Sequence, residues 1–113
     1  KCPRKKVGCV ILLDSGLLAT GYNGFPAGEL EQWNDGTQSN PLVTHGELNA
    51  LGKLLEEGVS AKNATVYTTL LPCLDCSKLL VRAKVKRVVY LEDYRCYDGY
   101  SYLKTYGVIV EKI

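Results

Sequence analysis

The sequence predicts an α/β domain in which helices cover a mixed central β-sheet. Two observations predict it: apolar, β-branched runs of strand length alternate with segments of helical spacing, and glycine, proline or aspartate stands at the junctions. A third observation bounds it. With 113 residues and 46% hydrophobic content, residues 1–113 suffice for one core and are expected to form a single domain.

Residues 7–13 are apolar and β-branched, Asp14-Ser15-Gly16 is a turn signal, and the pattern resumes over 17–22, so the first two strands form a hairpin. From 23 to 43 the chain carries Gly24, Pro26, Gly28, Gly36 and Pro41 among polar residues with no sustained period, which predicts a long loop. Loops of that length inside a compact domain usually carry function. Thr44 as N-cap, Leu48, Leu51, Leu54 and Leu55 at helical spacing, and Gly58 as stop predict a helix over 45–57. Residues 64–71 read as a buried strand. Pro72 then opens a second helix whose inward face is Cys73, Cys76, Leu79 or Leu80, and Ala83. A strand over 87–92, a short helix over 100–106 and a strand over 108–110 complete the order β-β-α-β-α-β-α-β, in two or three layers.

Composition excludes several function classes. A net charge of +2 lacks the strongly basic balance of a polynucleotide wrapper, and the run Lys78, Arg82, Lys84, Lys86, Arg87 reads as a solvated face. The longest apolar runs fall far short of the roughly 20 residues that span a bilayer. Of five cysteines, two belong to the motif below. The odd remainder of Cys2, Cys9 and Cys96 argues against a secreted disulfide framework and for the reducing cytoplasm.

Chemistry concentrates in Thr44-His45-Gly46-Glu47 and Pro72-Cys73-Leu74-Asp75-Cys76. Taken alone, Thr44-x-x-Glu47 is a capping box, and Cys73-x-x-Cys76 could be a redox pair at a helix N-terminus. Together they supply three Zn²⁺ ligand types, His45, Cys73 and Cys76, at the starts of two helices, which leaves the fourth tetrahedral position open for water. An open position marks a catalytic metal. Glu47, on the same turn as His45, reaches that water without ligating and is the candidate general base. Two thiolates cancel the formal charge of Zn²⁺ and leave its water less acidic, so a carboxylate base is needed. The H-x-E…P-C-x-x-C pattern is the signature of zinc nucleobase deaminases.

Beyond the metal motif, Cys2-Pro3-Arg4 before Val7-Gly8, Gly21-Tyr22-Asn23-Gly24-Phe25-Pro26 and His45-Gly46-Glu47-Leu48-Asn49-Ala50 resemble the deoxycytidylate (dCMP) deaminases over nearly the whole chain. Cytidine, guanine, riboflavin-pathway and tRNA-adenosine deaminases share the metal motif. The Gly-Tyr-Asn-Gly-x-Pro segment is far more specific to the deoxycytidylate branch. The resemblance implies a cytidine-deaminase-like fold, one catalytic Zn²⁺ per chain, and hydrolysis of dCMP to dUMP and ammonia. It further implies a homo-hexamer activated by dCTP with Mg²⁺ and inhibited by dTTP. By matching position it assigns Asn23 to the deoxyribose hydroxyl, the Gly46 backbone to the pyrimidine edge, Tyr94 to the nucleotide site and Arg4 to the phosphate. Gly21, Tyr22, Asn23 and Gly24 become the effector segment.

Three departures accompany it. The family usually has alanine where Gly46 stands, and glycine costs roughly 1 kcal/mol in a helix. The segment between Pro26 and Thr44 has no cysteine or histidine, so no second, structural zinc is expected. A helix that normally precedes Cys2-Pro3-Arg4 is not included, and with no methionine anywhere the residues read as part of a longer product. Competing readings are a deaminase of another cytosine nucleotide such as dCTP, a deaminase of nucleic acid, and a zinc-stabilised nucleotide-binding module without turnover.

Overall fold

The computed structural model describes residues 7–23, 45–94 and 96–113, and its elements follow the predicted order. Strands β1 (Gly8–Leu12) and β2 (Leu18–Tyr22) form the hairpin, closed by the Leu13 amide donating to the Leu17 carbonyl at 2.9 Å. Helix α1 (Gly46–Glu57), strand β3 (Thr65–Leu70), helix α2 (Leu74–Arg82), strand β4 (Arg87–Glu92), helix α3 (Asp98–Thr105) and strand β5 (Ile109–Lys112) follow. The loop over 23–43, the Thr44 cap, Arg4 and Gly24 lie outside the described residues, Asn23 excepted.

Several boundaries differ from the sequence pattern. Helix α2 starts at Leu74, not Pro72, because Cys73 is extended (φ −70°, ψ 172°) and serves as the N-cap. Its inward face resolves to Leu80, fully buried, while Leu79 is exposed. Helix α3 starts at Asp98, two residues earlier than expected; an acidic residue in the first turn suits the positive end of the helix dipole. Strand β5 runs on to Lys112, where it still pairs with Tyr90 of β4.

The sheet has the order β2-β1-β3-β4-β5, with β1 antiparallel to both neighbours and β3, β4 and β5 mutually parallel. Strands β2, β3 and β4 therefore point the same way, and their carboxyl ends lie along one edge. Ile11, Ala19, Val66 and Val88 on one sheet face share a core with Ala50 and Leu54 of α1, Leu80 of α2 and Leu103 of α3. All three helices thus cover the same face, which gives the described residues two layers. In a parallel β-α-β crossover the helix must pack back onto the sheet, which puts α2 and α3 side by side. No helix among the described residues is long and apolar enough to cross a membrane.

Candidate metal centre and active site

The edge formed by the carboxyl ends of β2, β3 and β4 is where open α/β sheets place their ligands. Strand β2 ends at Tyr22, and Asn23 follows it. Past β3, the Leu71 amide bonds the Glu92 carbonyl at 2.9 Å, which holds Pro72 and Cys73 beside the end of β4 and Tyr94 just beyond it. Helix α1 starts at the same edge. Its seat on β2 is tight: a Cβ added to Gly21 would lie 2.5 Å from the Ala50 nitrogen and 2.6 Å from the Gly46 carbonyl oxygen. Gly46 makes the reciprocal approach, its missing methyl facing the Val7 carbonyl oxygen at 3.0 Å and the Tyr22 Cα at 3.2 Å. The Asn49 side-chain amide then donates to the Tyr22 carbonyl at 2.6 Å.

His45 is the N-cap of α1, with extended backbone (φ −68°, ψ 153°) and no side-chain capping bond. This corrects the Thr44 cap, and it places Glu47 at the second helical position, where a capping box would need the third. Two helix starts with extended caps therefore converge. The His45 Nδ1 lies 3.5 Å from the Cys73 Sγ and 3.4 Å from the Cys76 Sγ. Tetrahedral zinc with ordinary Zn–N and Zn–S bonds would set these separations at about 3.5 Å. All three ligand atoms lie within 4.8 Å of one another, so the predicted ligand set fits the metal.

Electrostatics concentrate on the same atoms. The Cys76 thiol donates to Cys73 and His45 faces it, which holds the Cys73 thiol at about 4 despite partial burial. The same bond, then burial and Glu47, push the Cys76 thiol up. Glu47 is 4% exposed. Burial raises its carboxyl above the ordinary value, opposed by a hydrogen bond from its own amide and raised further by Cys73. Cys9, buried on β1, is also pushed up, by burial and then by the Glu47 charge. The carboxylate thus sits between the metal ligands and the sheet.

Of the remaining predicted residues, Asn23 is fixed by backbone and side chain: its amide donates to the Val7 carbonyl at 3.0 Å, and its Oδ1 accepts from the Val7 amide at 3.1 Å. Tyr94 is half-buried and follows Asp93, whose carboxylate accepts from Lys112 Nζ at 2.9 Å. Sequence reasoning missed Asn49 and the Asp93–Lys112 clasp. An asparagine in a helix interior is a weak former, and that was the available signal for Asn49. In the basic run, Arg87 pairs with Glu111 and Lys86 lies 4.0 Å from Asp14, as a solvated face would.

The family model for the cytidine and deoxycytidylate deaminase zinc-binding region matches residues 1–92. The ComE operon protein 2 of Bacillus subtilis is 33% identical over 99% of this chain and 62% of its own length. The deoxycytidylate deaminase of Saccharomyces cerevisiae is 36% identical over 98% of this chain and 39% of its own. This chain thus spans between 39% and 62% of these two curated relatives. Among solved structures, the dCMP deaminase of cyanophage S-TIM5, in complex with dCMP and dUMP, superposes with a TM-score of 0.88 at 39% identity. That match covers 97% of this chain and 82% of the phage chain.

Proposed function

The chain belongs to the cytidine and deoxycytidylate deaminase family, and from that premise we propose that it hydrolyses dCMP to dUMP and ammonia as a cytoplasmic enzyme. One observation carries the reading: His45, Cys73 and Cys76 converge at zinc-ligand distances beside the buried carboxylate of Glu47. The likeness to the phage enzyme's dCMP complex supports the choice of substrate.

Bound by the three ligands, Zn²⁺ would supply the Lewis acid that makes water nucleophilic at neutral pH. Glu47 does the proton work. It accepts one proton from water and delivers it to the ring nitrogen as the oxygen adds to the amino-bearing carbon, then takes the second proton from the added hydroxyl and gives it to the amino group, which leaves as ammonia. Burial suits it to this exchange, because a carboxyl raised above its ordinary value can hold a proton as well as accept one. Asn23, oriented by Val7, is assigned to the deoxyribose hydroxyl, the Gly46 backbone to the pyrimidine edge, Tyr94 to the wall of the nucleotide site and Arg4 to the phosphate.

Regulation belongs to the same proposal: dCTP with Mg²⁺ activates and dTTP inhibits a homo-hexamer through the segment Gly21-Tyr22-Asn23-Gly24. The tight seat of α1 on Gly21 supports a route for such coupling, since a ligand that displaces the end of β2 displaces the helix carrying His45 and Glu47. The test of function is ammonia release from dCMP, dCTP, deoxycytidine and single-stranded DNA measured side by side, with dCMP expected to turn over fastest. No ammonia from any of them would leave a binding module. Faster release from dCTP or DNA would move the chain to another branch.

A further inference from the structure

We propose that Gly99 is a positioning residue for the metal ligand Cys73, so that the first turn of α3 acts as a buttress for the metal centre. The proposal rests on the zinc reading of the site and concerns a residue that touches neither metal nor substrate. Gly99 does not occupy the left-handed region, so its role is one of space. A Cβ placed there would overlap the Pro72 carbonyl oxygen and would lie 2.7 Å from Ser77 Oγ and 3.0 Å from the Cys73 carbonyl carbon. Two of these three atoms are backbone and cannot swing aside.

The surroundings leave no slack. Pro72 and Ser77 are among the fully buried side chains, and Ser77 Oγ finds no hydrogen-bond partner among the described residues. The Ser77 amide is bonded to the Cys73 carbonyl at 2.9 Å, which ties the cap residue to the turn that α3 presses upon. Helix α3 cannot simply retreat. Leu103 anchors it in the core, and the Val108 amide bonds the Leu103 carbonyl at 3.0 Å on the way into β5. A methyl group at 99 therefore drives the Pro72–Cys73 backbone out of place, and with it a sulfur that must sit 3.5 Å from His45 Nδ1. By contrast, Gly52 on α1 has nothing within 4 Å of a built Cβ.

The experiment uses metal-depleted protein titrated with Zn²⁺ against a chromophoric chelator, with circular dichroism on the same samples. Gly99→Ala is expected to bind zinc about 10- to 100-fold more weakly, the scale of other changes just outside a metal's ligands, whereas Gly52→Ala should stay within about twofold of the parent. Parental affinity in a folded Gly99→Ala overturns the buttress. Should that variant fail to fold, hydrogen exchange of the parent decides. Coupling is reciprocal, so Zn²⁺ must slow exchange in the first turn of α3 together with that in the first turn of α2. Zinc protection confined to α2 overturns the proposal. A parent chain that binds no zinc sinks the site reading itself and is recognised before any variant is made.

Discussion

Glu47 and Cys76 test the chemistry at single-residue resolution. Glu47→Gln keeps the shape and burial of the side chain but cannot carry the proton, so zinc should remain while turnover falls at least ~10²-fold. Near-normal turnover would reduce Glu47 to a local bond with its own amide. Cys76→Ala removes a ligand whose sulfur lies 3.4 Å from His45 Nδ1, and metal analysis should fall from one zinc per chain to well below that. Undiminished zinc in the variant would take the site apart. Both residues were legible in the sequence, because ligand type and spacing are local properties of a helix start. The raised state of the Glu47 carboxyl was not, since it depends on burial in the folded chain and then on Cys73 from another element.

At the scale of elements, the seat of α1 on β2 leaves no room for added volume. Gly21→Ala would put a methyl group within 2.6 Å of two backbone atoms of α1. It should cost about 1–3 kcal/mol in urea denaturation and lower turnover as α1 shifts; unchanged stability would mean that the helix is not packed on the strand in solution. The β4–α3 connection is tied differently, by Asp93 to Lys112 and to the Tyr97 and Tyr90 hydroxyls. The Lys112 bond, then that from Tyr97, holds the Asp93 carboxyl below the usual aspartate value. A depressed carboxyl stabilises the fold above its unfolded value, and that contribution disappears as pH falls through the lower, folded value. Accordingly the Asp93 carboxyl resonance should titrate below the ordinary range and move up in Lys112→Ala. Titration at the ordinary value in the parent would mean that the clasp is not made in solution. Element order and most boundaries were legible from periodicity, while the start of α2 shifted because Cys73 keeps an extended backbone.

For the whole molecule, the alignment of three strand ends along one edge gathers the candidate site, and the proposed function predicts its substrate preference. The parent should prefer dCMP over deoxycytidine by at least ~10² in kcat/KM, because a site built to bind a phosphate leaves polar groups unpaired without one. Arg4→Ala should lower this ratio by acting mainly on dCMP. Equal efficiency on nucleotide and nucleoside would move the chain toward the nucleoside deaminases, and equal small effects of Arg4→Ala would return that residue to ordinary surface charge.

The sequence by itself determined the order of strands and helices to within a residue or two, and that one histidine, two cysteines and a glutamate stand near the starts of two helices. Those features depend on spacings of a few residues, and residue types encode them directly. Only the tertiary structure decided that β1 inserts between β2 and β3, that all three helices share one sheet face, and that Gly21 and Gly99 serve as contact points between elements. These depend on pairings between distant parts of the chain. Once two backbones meet at van der Waals distance, glycine is the one residue type that fits.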